Sequence, residues 1–298
     1  GYTLEFSTAV VAVAGGLGCI IPPSIPFVLY STSAGTSVGD MFIAGIVPGL
    51  LLGALLMVYA IVYCARKGED RERIKVVMKE LHSQGFGRLF LDSFWALLTP
   101  VIILGSIYGG VATPTEAAVM SVYYALFVSV FVYKTIKISE IPAVFMESLK
   151  TITPILFVLS AAVSFGRVLA LMNVPQAVGG WITSSFSSKW MILLVVNVFL
   201  LFVGMVMDAA PAILILTPIL GPVMSAIGVV LVLFGIMMVV NLAVGFVTPP
   251  VGINLFVASS MTKLPVIKIA KVSAPFTLLF FLGLVLIVIF PQISLCLI

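Results

Sequence analysis

Two consecutive prolines inside an apolar run occur twice in this sequence, and neither run can form an uninterrupted helix. Pro22-Pro23 lies in GGLGCIIPPSIPFVLYSTSAG (residues 15–35) and Pro249-Pro250 in LAVGFVTPPVGINLFVASSMT (242–262). The pairs are 227 positions apart, and the same offset relates Gly1 to Gly228, Gly18 to Gly245, Ser33 to Ser260 and Pro48 to Pro275. That agreement reads as a degenerate internal repeat. Proline has no N–H and clashes with the preceding turn, and the residue before it leaves the α region. Each pair therefore frees carbonyls before it and exposes N–H groups where the helix resumes.

Apolar residues make up 62% of the 298 and charged residues 9%, with mean hydropathy +1.30. A soluble domain is about 25% charged, so the composition predicts an all-α polytopic membrane protein with the lipid bilayer as its surroundings. Unpaired backbone in hydrocarbon survives only where it lines a cavity or binds something, and broken helices at matching places in two halves point to a transport site. The net charge of +4 comes from basic residues in short loops and implies no nucleic-acid partner. Cys19, Cys64 and Cys296 are far apart in apolar sequence and read as buried inert thiols. The chain opens at Gly1, almost at the first break, so the N-terminal part of the first repeat is expected to be missing from it.

Along the chain, 1–64 reads as the C-terminal part of the first repeat, with a broken helix over 3–34 and a helix over 42–64. Residues 65–94 read as a basic, cytoplasmic loop or surface helix that includes the only histidine, His82. Residues 95–150 hold scaffold helices (95–112 and 114–133) and an amphipathic arm over 139–150 lying along the membrane surface. Thr113, Pro114 and Glu116 have the pattern of a capping box, with ion handling as the other reading of Glu116. The second repeat, 151–298, contains a crossing helix, a polar stretch over 173–189, a hairpin (190–227), a broken helix (228–262) and a final helix (273–297).

Charge decides the hairpin's nature. If 190–206 crossed alone, Lys263, Lys268 and Lys271 would face outward, against the positive-inside rule. A re-entrant hairpin keeps them inside and leaves 173–189 and the C-terminus outside. The two repeats are then inverted, as in alternating-access carriers.

Ionisable side chains within the apolar spans are few: Glu5, Glu116, Arg167 and Asp208. Each needs a partner or a wet cavity. Arg167 suits an anionic substrate, because its guanidinium matches a carboxylate bidentately; a structural pairing is the other reading. Asp208 stands at the hairpin tip as ligand or as helix cap. Ser24, Thr248 and Asn254 offer oxygens, alongside the freed carbonyls, of the kind a hard cation such as Na+ takes; local capping is the other reading of these side chains.

The runs GxIIPPSIPFVLY, YGGVATPTEAAVMSVYYAL, GMVMDAAPAILILTPIL and NLAVGFVTPPVGINLF, in this order, resemble the large membrane (M) subunit of tripartite ATP-independent periplasmic (TRAP) transporters over the whole chain. The resemblance implies an elevator-type, Na+-driven carrier of a small organic acid in the bacterial inner membrane, without a cofactor beyond the coupling ion. It also implies a small membrane Q subunit and a soluble periplasmic substrate-binding protein as partners. By motif it places Pro22, Pro23 and Ser24 in one Na+ site. Met207, Asp208 and Ala209, with Thr248, Pro249, Gly252 and Asn254, fall in the other. Substrate contacts fall to Arg167, Asp208 and Ser24. The family's first hairpin precedes the position of Gly1, so half of one ion site is expected outside this chain. Arg167 stands where many members carry tryptophan and resembles the sialic-acid members, which ranks that substrate first, ahead of C4-dicarboxylates. An intramembrane enzyme would need a nucleophile or metal motif, and none appears. An ion channel or a binding-protein-independent Na+/carboxylate symporter is the alternative.

Overall fold

A computed structural model describes residues 2–67, 75–76, 78–79, 85–186 and 188–298. Arg71, Arg73 and His82 of the basic loop lie outside them. The described residues are helical, without strands, and six helices are long and apolar enough to cross a membrane. The chain is an all-α, multi-pass membrane protein. It divides into two compact units, residues 65–156 and residues 2–64 with 157–298.

In the first unit α4 (Phe86–Tyr108) and α5 (Pro114–Phe127) pack as an antiparallel pair. The Tyr124 hydroxyl near the end of α5 donates to the Trp95 carbonyl early in α4, at 2.8 Å. Their junction is the capping box expected from the sequence. Thr113 Oγ1 accepts from the Glu116 N–H (3.3 Å), and Glu116 Oε2 accepts from the Thr113 N–H (2.7 Å) and hydroxyl (2.8 Å). A π-helical turn, Val128–Val132, prolongs α5. Helix α4 starts well before residue 95, its first half carrying the Phe90–Phe94–Trp95 ring series.

The second unit contains both broken helices. The first is α1 (Leu4–Leu17) and α2 (Ile25–Ala34), followed by α3 (Val38–Lys67). The second is α10 (Leu231–Gly245) and α11 (Ile253–Thr262), followed by α12 (Val266–Ile289) and a last turn, α13 (Gln292–Leu295). The repeat offset holds in the backbone to within a residue at most helix ends, and Pro48 and Pro275 both sit inside the helix that follows. Between them run α6 (Ile141–Leu171), α7 (Val174–Ser185), α8 (Lys189–Val206) and α9 (Ala209–Ala226).

The two broken helices lie side by side and run in opposite directions. Glu5 near the start of α1 pairs with Lys268 just past the second broken helix, at 2.7 Å. Ala9 and Ala12 pack with Leu255, Ala258 and Ile269 in one buried cluster. At the far end of α2, Tyr30 donates to the Leu231 carbonyl at 2.6 Å and meets the Phe234 ring edge-on. Residues 5, 12 and 30 thus face 268, 254 and 231, a reversed order that makes the repeats inverted. Small residues permit the approach: Gly45 lies under Phe27 and the Ile20 carbonyl, and Gly235 under Tyr30 and Met41.

Several elements differ from the sequence expectation. Helix α3 begins at Val38, not 42, because Ser37 caps it, its hydroxyl accepting from the Asp40 N–H at 3.2 Å. Residues 141–171 form one helix rather than a surface arm and a separate span, since a lone Pro154 deletes only one backbone bond. The polar stretch 173–189 contains α7, with Pro175 in its first turn and Ile182 buried. Helix α12 begins at Val266, after Pro265, rather than at 273. None of the three cysteines is fully buried: Cys19 and Cys64 are half-buried, and Cys296 is exposed on the terminal turn.

Antiparallel halves set the two repeats in opposite senses, and the positive-inside rule predicts which end is cytoplasmic. With Lys263 on the cytoplasmic side, Lys263→Cys in a Cys-free background resists a membrane-impermeant thiol reagent applied from the periplasm, while Ser188→Cys reacts. Rapid labelling at 263 together with protection at 188 would overturn the assignment.

Candidate functional site

The proline pairs interrupt the two helices in matching ways. After α1 the Ile20 N–H bonds the Leu17 carbonyl (2.9 Å), and after α10 the Val247 N–H bonds the Val244 carbonyl (3.2 Å) at the equivalent position. Both Pro22-Pro23 and Pro249-Pro250 are cis. Among the described residues, the carbonyls of Ile20, Ile21, Pro22 and Pro23 accept no hydrogen bond, nor do those of Val247 through Val251.

The restarts differ. Ser24, buried to 2% exposure, caps α2 by accepting from the Phe27 N–H (3.3 Å) and donates to the Cys19 carbonyl (2.5 Å). Gly252, at φ +61°, precedes α11 without a side-chain cap. Any Cβ there would press on Leu255 at 2.9 Å and on the Thr248 carbonyl at 3.1 Å.

The breaks adjoin. Asn254, beyond the second, donates to the Ala12 carbonyl ahead of the first at 3.0 Å, and Gly15 lies against its side chain. Gly16 meets the Ala243 carbonyl. Thr248 is engaged locally, its hydroxyl donating to Val244 at 2.7 Å.

The hairpin brings its tip to the same place. Helix α8 runs parallel to α10, and Lys189 reaches the Gly228 carbonyl (3.1 Å) at their common start. Further along, Gly204 faces Leu242 and Gly245, backbone against backbone. Beside the second break, the Val251 N–H donates to the Met205 carbonyl at 3.2 Å. Each arm is long enough to cross a bilayer, yet α8 reaches no further than the break, where the chain turns back as α9. The arms hardly touch each other: α8 lies on α10, and α9 lies on α2, α7 and α10. Asp208 is exposed and caps α9 by accepting from the Ala209 N–H (2.8 Å).

The tip residues Met207, Asp208 and Ala209 thus lie beside the second break, which holds Thr248, Pro249, Gly252 and Asn254, through the Met205–Val251 bond; the first break, with Pro22, Pro23 and Ser24, follows Gly16, which meets Ala243 just ahead of the second. Arg167 is elsewhere. Its neighbour Gly166 faces Pro218, nine residues past Ala209 and so about 14 Å along α9. Arg167 is exposed and makes no ion pair with Asp208 or any other described residue. The sequence reading missed the Glu5–Lys268 pair, which only the antiparallel fold brings together. It also missed Asn197 and Asn241, bonded across α8 and α10 at 2.7 Å; an amide at membrane depth was the available signal.

Comparison with known proteins gives an independent result. Residues 1–293 match the family model described as tripartite ATP-independent periplasmic transporter, DctM component. The chain is 41% identical over 297 residues to the C4-dicarboxylate TRAP transporter large permease protein of Pseudomonas aeruginosa, covering 100% of this chain and 68% of that one. It is 41% identical over 275 residues to the isethionate TRAP transporter permease protein DctMQ of Oleidesulfovibrio alaskensis, covering 92% and 42%. Against the sialic acid TRAP transporter large permease protein of Vibrio cholerae identity is 34% over 296 residues, covering 99% and 68%.

The contact of Gly204 with Gly245 makes a sharp test. A Cβ at 245 would overlap the Gly204 backbone, whereas one at Gly221 meets only Leu231 at an ordinary 3.7 Å. Overpacking costs about 1–3 kcal/mol. Gly245→Ala should lower the melting temperature in detergent by roughly 3–10 °C, with Gly221→Ala close to wild type. Equal melting of the two variants would refute the close packing.

Proposed function

The chain belongs to the DctM family of tripartite ATP-independent periplasmic transporters, and from that membership we propose that it carries out Na+-coupled uptake of a small organic acid by an elevator movement. A member of this family is a transporter subunit, not an enzyme. The carrying observation is the meeting of two inverted broken helices and a hairpin tip at one oxygen-rich place. Unbonded carbonyls of Ile20–Pro23 and Val247–Val251, with Asp208 beside them, supply hard, partly anionic ligands of the kind Na+ requires. Inverted repeats around a fixed site are the architecture of alternating access. A channel needs no second, inverted copy.

Two partners follow from the family: a small Q subunit in the membrane and a soluble periplasmic protein that delivers substrate, with the bacterial inner membrane as the location. The relative from Oleidesulfovibrio alaskensis is named DctMQ, in keeping with a Q subunit joined to the large one. Arg167, exposed and without an ion-pair partner, is available to a substrate carboxylate. Its presence ranks sialic acid first, but identity is higher to the relative named for C4-dicarboxylates. C4-dicarboxylates are therefore the first substrates to test, and sialic acid the second.

Liposomes carrying the full-length transporter and its two partners should take up one of these acids only with an inward Na+ gradient. Pro249-Pro250→Ala-Ala, which lets the helix re-form and reclaim its carbonyls, should weaken Na+ activation by about tenfold or more, an order set by the loss of one charge-assisted ligand. Uptake driven equally well by K+ would reject the coupling ion. A separate readout concerns Arg167→Lys, which keeps the charge but loses the bidentate fork. Uptake should fall sharply while Na+ binding without substrate stays normal, and full uptake by this variant would remove Arg167 from the substrate site.

A further inference from the structure

We propose that Asn197 and Asn241 are positioning residues: their hydrogen bond sets the register of α8 on α10 and so holds the hairpin tip against the second break. Asn241 is fully buried, and its Nδ2 donates to Asn197 Oδ1 at 2.7 Å and to the Met237 carbonyl at 2.8 Å. Asn197 Nδ2 in turn donates to the Leu193 carbonyl at 2.7 Å. The Oδ1 of Asn241 is buried and accepts nothing among the described residues, so this amide is not present for full satisfaction of its own polar groups. The equivalent position in the first repeat holds Ala14, which shows that the repeat accepts a small apolar residue there. Asn241 is an addition particular to the copy that meets a hairpin within this chain.

Between the Lys189–Gly228 bond at its start and the Gly204–Gly245 approach at its end, the rest of the contact is apolar and adds little to the register. The stripe of α8 turned inward consists of Leu193, Val196, Leu200 and Gly204, and α10 is apolar and buried nearly throughout. Apolar surfaces of this kind slide past one another at low cost, whereas one buried polar pair fixes a register. A slip of one helical turn, about 5.4 Å, would separate Gly204 from Gly245 and break the bond from Val251 N–H to the Met205 carbonyl. The tip at Met207–Asp208 would then leave the break. The pair lies about 12 Å of helix before Met205, touches neither the breaks nor the tip, and acts through them.

The test uses a Cys-free full-length transporter reconstituted with its partners. Asn197→Leu/Asn241→Leu removes both amides together and leaves no orphaned partner, so its melting temperature stays near wild type. Its half-saturating Na+ concentration should rise about fivefold or more, with maximal uptake largely retained. Asn197→Cys/Asn241→Cys should show the same shift when reduced and return to the wild-type value when oxidised, because the disulfide restores the register. The Na+ measurement rests on the coupling ion proposed above; uptake by the oxidised protein does not. Unshifted Na+ activation in the double leucine variant would overturn the positioning role. So would loss of uptake on oxidation, since α8 and α10 would then have to part during transport. If no variant responds to Na+, the coupling ion is refuted, and transport by the oxidised protein alone decides whether α8 and α10 stay in register.

Discussion

A peptide group that loses its helical partner inside hydrocarbon must find another or cost several kcal/mol. That constraint governs the second unit. The proline pairs leave carbonyls unbonded at Ile20–Pro23 and Val247–Val251, and the two broken helices that carry them pack side by side. The break is not relieved by neighbouring donors. Ser24 and Thr248 spend their hydroxyls on Cys19 and Val244, and Asn254 spends its amide on Ala12. The freed oxygens are left for something that accepts oxygen ligands, which is the chemical basis for placing a cation there.

The packing of the two broken helices is antiparallel. Closeness of Ala12 to Asn254 and of Gly16 to Ala243 brings the breaks together, and glycines at 15, 16, 45 and 235 allow backbones to approach where larger side chains would hold them apart. The hairpin then adds its tip from a third direction. Helix α8 packs on α10, and α9 packs on α2, α7 and α10, so both arms hold the tip against the second broken helix.

Much of this was legible in the sequence because proline chemistry is local. The two breaks, the helix restart at Ser24, the capping box at Thr113–Glu116 and the turn at Asp208 follow from residue types at fixed spacing. The inversion of the repeats was legible through Lys263, Lys268 and Lys271, since charge reports sidedness. Which helix packs on which was not. Glu5 and Lys268 are 263 positions apart, and the α8–α10 contact depends on glycine pairs that have no distinctive pattern in an apolar run. Helix α7 was hidden because its Gly and Ser content reads as a loop, while its apolar face is set by packing on Val223. Arg167 was read as a substrate ligand from its chemistry and from the motif around it, and its distance along α9 separates it from the breaks.

The central claim is that the paired breaks bind Na+ before substrate arrives. Equilibrium binding of radiolabelled Na+ to the purified full-length transporter, without substrate or binding protein, tests it most directly. The account requires saturable binding that excess K+ does not displace and that weakens when both proline pairs are replaced by alanine. Binding that is absent, or that survives replacement of both pairs unchanged, would contradict it.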